Sequence, residues 1–199
     1  DQHAVDSVAM LLFDAASNPT QQMKLPPGSM LSPGVGVHNF DTFIPATILR
    51  QRLGSDRHLS SWWDERHHLG MDPLEDGLRR DRMLGRLWFY HHSEQIRAAI
   101  AGAVQRATAI DPERAVAVDD RTRAVLPVYI ACSTVGGTGS SGFLEVVAAV
   151  HAATPVGWYP RIRAFLLLPG AFEGQAGRAV GGDVLLARHK ANAYGFFKE

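Results

Sequence analysis

Short apolar runs and longer apolar stripes alternate along the chain. Val8 to Phe13 is a continuous apolar run closed by Asp14, and runs of this length between turn residues suit parallel strands buried on both faces. It reads as a strand with Asp14 at its carboxyl end. From Asn18 to Gly36 the chain is dense in Pro, Gly and Ser, with Pro26-Pro-Gly28 and Ser32-Pro-Gly34 each fixing a turn, so a long loop is expected. Pro45 suits the first turn of a helix reaching about Leu53, with Gly54 placed to stop it. Ser60 or Ser61 is positioned to cap a second short helix through Trp62, Trp63 and Asp64.

A polar stretch from Met71 to Asp81, carrying Asp72-Pro73 and Gly77, comes next. Met83, Leu84, Leu87 and Tyr90, then Ile96, Ala99, Ile100, Ala103 and Val104, keep helical spacing, which predicts one long helix or two with a break near Ser93. Asp111-Pro112 ends it. Ala124 to Cys132 is a second buried strand, with Pro127 near its start because proline cannot donate within a central ladder. Phe143, Leu144, Val147 and Val150 mark one face of the following helix, which ends before Pro155. Ile162 to Leu168 is a third strand closed by Pro169-Gly170, and Leu185, Leu186, Ala193, Phe196 and Phe197 mark a last helix. Strands alternating with helices predict an α/β fold, a mostly parallel Rossmann-like sheet with helices on both faces.

Composition narrows the class. A chain of 199 residues with 46% hydrophobic content fits one domain with a sizeable core. Lys+Arg 20 balances Asp+Glu 20, and the only local basic cluster surrounds Arg79 and Arg80, so neither nucleic acid nor a membrane surface is the expected partner. The single cysteine, Cys132, lies in an apolar strand, which excludes an internal disulfide framework and suits a reducing compartment. No apolar run approaches the roughly 18 residues that span a bilayer, and the polar start does not read as a signal peptide. A soluble, cytoplasmic protein is expected.

The chemistry concentrates between Val128 and Gly142, where a strand runs through Gly136-Gly-Thr-Gly-Ser-Ser-Gly142 into a helix. Four glycines and three hydroxyl residues in seven positions exceed what a connection needs. Glycine lets peptide N–H groups approach an anion without Cβ obstruction. The helix start adds unsatisfied N–H groups and the positive end of its dipole. Ligands of open parallel sheets sit at the carboxyl ends of the strands, where this turn and Asp14 both fall. A phosphate group is the expected guest. The Walker pattern fails because no lysine is present, and the serine-hydrolase elbow fails because neither Ser140 nor Ser141 has glycines at both required positions.

The turn resembles the Gly-Gly-Gly-Thr-Gly-Ser-Gly signature of the tubulin and FtsZ superfamily, with Val135 in place of the first glycine and Ser141 of the last. Leu168-Pro-Gly-Ala-Phe-Glu-Gly-Gln-Ala-Gly-Arg178 resembles a strand-end and loop that reads Pro-Phe-x-Phe-Glu-Gly in FtsZ. Gly77 to Arg86 is similar to a glycine-rich loop and helix start of bacterial tubulin-like proteins. Lys190-Ala-Asn-Ala-Tyr-Gly-Phe-Phe-Lys-Glu199 resembles a later helix of the same group.

The resemblance implies GTP or GDP as ligand. It places Gly136, Gly137, Thr138, Gly139 and Ser140 around the phosphates, Asp14 near the phosphates or their magnesium, Gly77 in a loop sensing the terminal phosphate, and Glu173 near the ribose. It also implies hydrolysis coupled to head-to-tail self-association, with water positioned by an acidic loop of a neighbouring subunit. No catalytic residue is assigned. The family's first strand and first glycine-rich turn have no counterpart before Val8, and its base-reading region and acidic loop have none further on. A partial tubulin-like GTP-binding domain over residues 1–199 is therefore expected, either a fragment or completed by another chain, and inactive as a GTPase alone. The rival readings are a non-hydrolysing scaffold with a degenerate site and a domain for another phosphorylated metabolite.

Other tempting residues read as structural. Adjacent histidines at His67-His68 and His91-His92 point about 100° apart on a helix and do not chelate one ion together, and no third ligand is evident beside Asp64 and His68, so no metal site is expected. Trp62, Trp63, Trp88, Phe89 and Tyr90 are expected in the core. Cys132 is read as packing, and Arg79 to Arg86 as a solvated helix face.

Overall fold

A computed structural model describes residues 10–14, 35–39, 46–63, 78, 81–109, 124–178 and 181–198. The strands are β1 (Met10–Asp14), β2 (Val35–Asn39), β3 (Ala124–Ser133) and β4 (Trp158–Leu167). The helices are α1 (Ala46–Ser55), α2 (Arg57–Trp62), α3 (Arg82–His91), α4 (Ser93–Ala107), α5 (Gly137–Ala153), α6 (Glu173–Ala176) and α7 (Gly182–Lys198), with a 3-10 turn at Pro169–Phe172. The strands form two parallel pairs, β1 with β2 and β3 with β4, the latter in register from Ala124 opposite Trp158 to Ser133 opposite Leu167. An α/β fold with parallel pairing is thus present. No helix among the described residues is long and apolar enough to cross a membrane.

Several local expectations shift for identifiable reasons. β2 begins at Val35, where the sequence reading extended a loop to Gly36. Gly54 does not end α1, because Ser55 is still helical and the Asp56 N–H bonds the Arg52 carbonyl at 2.7 Å. The cap of α2 is Asp56, whose carboxylate accepts from the His58 and Leu59 N–H groups at 2.9 and 3.1 Å. Ser60 and Ser61, the expected caps, lie inside that helix and donate back to the Arg57 and His58 carbonyls. The long apolar stripe is two helices, broken at His92. Val8, Pro45, Asp64, His67, His68, Asp72, Pro73, Gly77, Arg79, Arg80, Asp111, Pro112 and most of the expected loop from Asn18 lie outside the described residues.

The main core joins Trp88 and Phe89 of α3, Ile96, Ile100 and Val104 of α4, Leu126 of β3, Val150 of α5 and Trp158 of β4, and Leu11 and Phe13 of β1 pack against it. Trp88 keeps only 1% of its surface exposed. A second cluster of Leu59, Trp63 and Leu87 ties α2 to α3. Trp63, Trp88 and Phe89 are core as expected, while Tyr90 is only partly buried against it and Trp62 is half-buried under the Arg86 guanidinium, 4.6 Å from its ring.

Among the described residues, helices cover one face of the β3–β4 pair. Leu126, Val128, Trp158 and Ile162 meet the helices, but Tyr129, Phe165 and Leu167 are 59%, 60% and 55% exposed. That face has no cover among the described residues. Pro127 sits fourth in β3 and is exposed; among the described residues β3 is bonded on one side only, and such a strand tolerates the missing donor.

Candidate functional site

β3 delivers the chain to a three-residue bend, Thr134 to Gly136, and α5 starts immediately after it. The bend is pinned from within. Thr134 is fully buried, and both its N–H and its hydroxyl donate to the Leu167 carbonyl at 3.0 Å. The Val135 N–H donates to the Ser133 hydroxyl at 3.2 Å. Because β3 and β4 are parallel and end in register, the turn after β3 and the turn after β4 begin side by side.

The first turn of α5 has no side-chain cap and no acidic residue, and its N-cap, Gly136, is extended at φ −83° and ψ 166°. The leading N–H groups of a helix have no intrahelical acceptor. Left uncapped, they carry the positive end of the dipole, which favours an anion. The hydroxyls divide unequally. Ser140 is 2% exposed and donates to the Gly136 carbonyl, and Ser141 donates to the Gly137 carbonyl, so both are turned into the helix. Thr138 remains half-buried in the first turn. The turn therefore presents backbone donors foremost.

Other elements set the turn's position. A Cβ on Gly137 would stand 2.7 Å from the Leu78 Cβ and 2.9 Å from the Asp81 carbonyl oxygen, so the approach to α3 presses directly on the start of α5. Asp81 caps α3 by accepting from the Met83 and Leu84 N–H groups at 2.9 and 3.1 Å. Arg82 Nε donates to the Ser140 carbonyl at 3.0 Å. Gly85 lies against the Gly137 carbonyl and the Ser141 hydroxyl, and Gly142 against the Phe89 ring, with no space for a Cβ at either. From the other side, Asn192 of α7 donates to the Val135 carbonyl at 2.8 Å, and Phe143 meets Phe196 with ring centroids 5.3 Å apart.

A family model described as tubulin-like matches residues 2–199. The chain belongs to the tubulin-like family. No curated protein and no solved structure matched it. In this tubulin-like chain the four segments with family resemblance are linked around the glycine turn and the start of α7. Leu78 and Gly85 meet Gly137, Thr134 bonds the end of β4, Asn192 bonds Val135, and His189 packs on Phe172 with centroids 5.9 Å apart.

The predicted site residues of the tubulin-like chain fall unevenly. Gly136, Gly137, Thr138, Gly139 and Ser140 form one turn. Glu173 is exposed at the first position of α6, on the connection that leaves β4. Asp14 is the last residue of β1, opposite Asn39, and its side chain lies outside what is described. Gly77 lies outside the described residues, although its neighbour Leu78 is buried against the turn. Sequence reasoning missed Thr134, Arg82 and Asn192 as supports. The last two sit within family-like segments, but their partners are 58 and 57 residues away, which no local pattern reveals.

A hollow of about 590 Å³ opens at the carboxyl ends of β3 and β4, lined by Ala131, Cys132, Ser133, Phe165, Leu166 and Leu167. Burial pushes the Cys132 thiol above its ordinary range, so it stays protonated at neutral pH and is a poor nucleophile.

Proposed function

We propose that this tubulin-like chain binds a guanine nucleotide, GTP or GDP, with its phosphates at the start of α5. The observation that carries the reading is the uncapped, acid-free first turn of α5 at the carboxyl end of a parallel strand. The N–H groups of Gly136, Gly137, Thr138 and Gly139 are the donors, and charge-assisted bonds to phosphate are the strong kind. Asp14 lies near the phosphates or the magnesium ion, Gly77 at the terminal phosphate and Glu173 near the ribose. Ser140 shapes the turn instead of donating to the anion, since its hydroxyl bonds the Gly136 carbonyl and its own carbonyl accepts from Arg82.

In line with the family resemblance, hydrolysis is coupled to head-to-tail self-association, with a neighbouring subunit supplying the group that orients the attacking water. A non-hydrolysing scaffold is the second reading. The exposed apolar residues Tyr129, Phe165 and Leu167 favour it, since a surface of this kind suits protein contact. Titration with GTP, together with phosphate release measured against chain concentration, separates the two. Saturable GTP binding with release that rises more than linearly with concentration is expected for assembly-coupled turnover. Binding without release selects the scaffold, and absence of GTP and GDP binding overturns the proposal.

A further inference from the structure

Asn192, Gly195 and Phe196 lie three and four positions apart on α7 and therefore share a face. All three meet the machinery of the glycine turn. Phe196 packs on Phe143. Gly195 leaves room for Arg82, whose guanidinium Nη1 lies 3.3 Å from where a Cβ would stand, and the Arg82 Nε holds the Ser140 carbonyl. Asn192 is 8% exposed, and its amide donates to the Val135 carbonyl at 2.8 Å. One turn earlier, His189 packs on Phe172 of the turn that follows β4.

The Val135 contact has a directional consequence. The peptide joining Val135 to Gly136 is trans and planar, so its carbonyl and its N–H point in opposite directions. Holding the carbonyl toward α7 turns the Gly136 N–H away from α7. The bonds that pin the bend hold Thr134 and the Val135 N–H, whereas the Val135–Gly136 peptide is held at its carbonyl by Asn192, and Gly136 adds no Cβ to resist rotation of that peptide. A buried carbonyl also requires a donor, and Asn192 supplies it.

We propose that Asn192 is a positioning residue for the phosphate site: by holding the Val135 carbonyl it aims the Gly136 N–H at the bound anion. The inference rests on the reading of the α5 start as a phosphate site. It assigns to α7 the preorganisation of that site, a role for a residue that itself touches no phosphate.

The test uses the full chain with GDP and inorganic pyrophosphate as probes. Asn192→Asp keeps the shape but removes the donor, and Asn192→Leu removes the polarity. Each is expected to fold, as judged by a cooperative urea transition, and to lose about tenfold in affinity for both probes, the order of effect of one well-made buried hydrogen bond. The Gly136 amide resonance should move in the variants without ligand, which a purely stabilising contact would not require. In the wild type, added GDP should shift the Gly136 amide and the Asn192 side-chain amide together, a readout independent of whether the variants fold. Wild-type affinity in folded variants, or a Gly136 amide that ignores GDP while Gly139 responds, overturns the role of Asn192 and leaves the nucleotide site standing. A wild type that binds neither probe overturns both.

Discussion

Gly137→Ala is expected to lower stability by about 1–3 kcal/mol, the usual cost of overpacking, and to weaken GDP binding at least tenfold. The added methyl meets the Leu78 Cβ at 2.7 Å and the Asp81 carbonyl at 2.9 Å. Neither is the end of a flexible side chain, so relief requires moving the approach to α3 or the start of α5. The second movement displaces the N–H groups that face the ligand. A urea transition and a GDP titration on the same protein check both effects. Gly54→Ala provides the contrast, because Gly54 is an exposed helical position with nothing within 4 Å of a Cβ. There the better helix propensity of alanine is expected to raise stability by up to about 1 kcal/mol. Equal behaviour of the two variants would contradict the packing described at the α3–α5 crossing.

Trp88→Ala carries the largest expected loss of stability, about 3–5 kcal/mol. The side chain is 1% exposed and meets Phe89 and His92 with ring centroids 4.9 and 5.2 Å apart. It sits where α3, α4, β3 and β4 share one core, so the vacated volume is walled by elements that cannot all collapse into it. A domain of this size has a total stability of roughly 5–15 kcal/mol, so the variant is expected to lose much of its margin. Trp62→Ala is expected to cost less, since Trp62 is half-buried and partnered by Arg86 near the surface. Urea midpoints with an unchanged slope report the difference, and a loss below about 1.5 kcal/mol for Trp88→Ala would contradict its central place.

What the sequence disclosed follows from the range of the forces involved. The run from β3 through the glycine turn into α5 was legible because an apolar strand, a glycine cluster and a helical stripe are all local signals. The family resemblance, borne out by the match across residues 2–199, came from the same short segments. β2 was obscured because Val35-Gly-Val-His-Asn39 is short and adjoins a Pro-rich stretch. The cap of α2 is ambiguous in sequence because Ser55, Asp56, Ser60 and Ser61 are all capping residue types within a few positions, and only the geometry shows that Asp56 reaches the His58 and Leu59 N–H groups.

Non-local pairing was the larger blind spot. Gly85 and Gly142 look like ordinary helical glycines in sequence, yet one permits α3 to lie on the Gly137 carbonyl and the other receives the Phe89 ring. Arg82 read as part of a solvated face, and it instead bonds the Ser140 carbonyl. Ser140 is one of the hydroxyl residues that point to a phosphate guest in sequence, yet its hydroxyl bonds the Gly136 carbonyl. Such assignments depend on which residue of one helix meets which of another, and periodicity supplies only the face.

The central claim is that the start of α5 receives the phosphates of a guanine nucleotide. Its most direct test is a titration of the isotope-labelled chain with GDP, following backbone amide resonances. Gly136, Gly137, Thr138 and Gly139 are expected to shift most and to saturate together. Shifts confined to the open face around Tyr129 and Phe165, or no shifts at the glycine turn at saturating GDP, would contradict it.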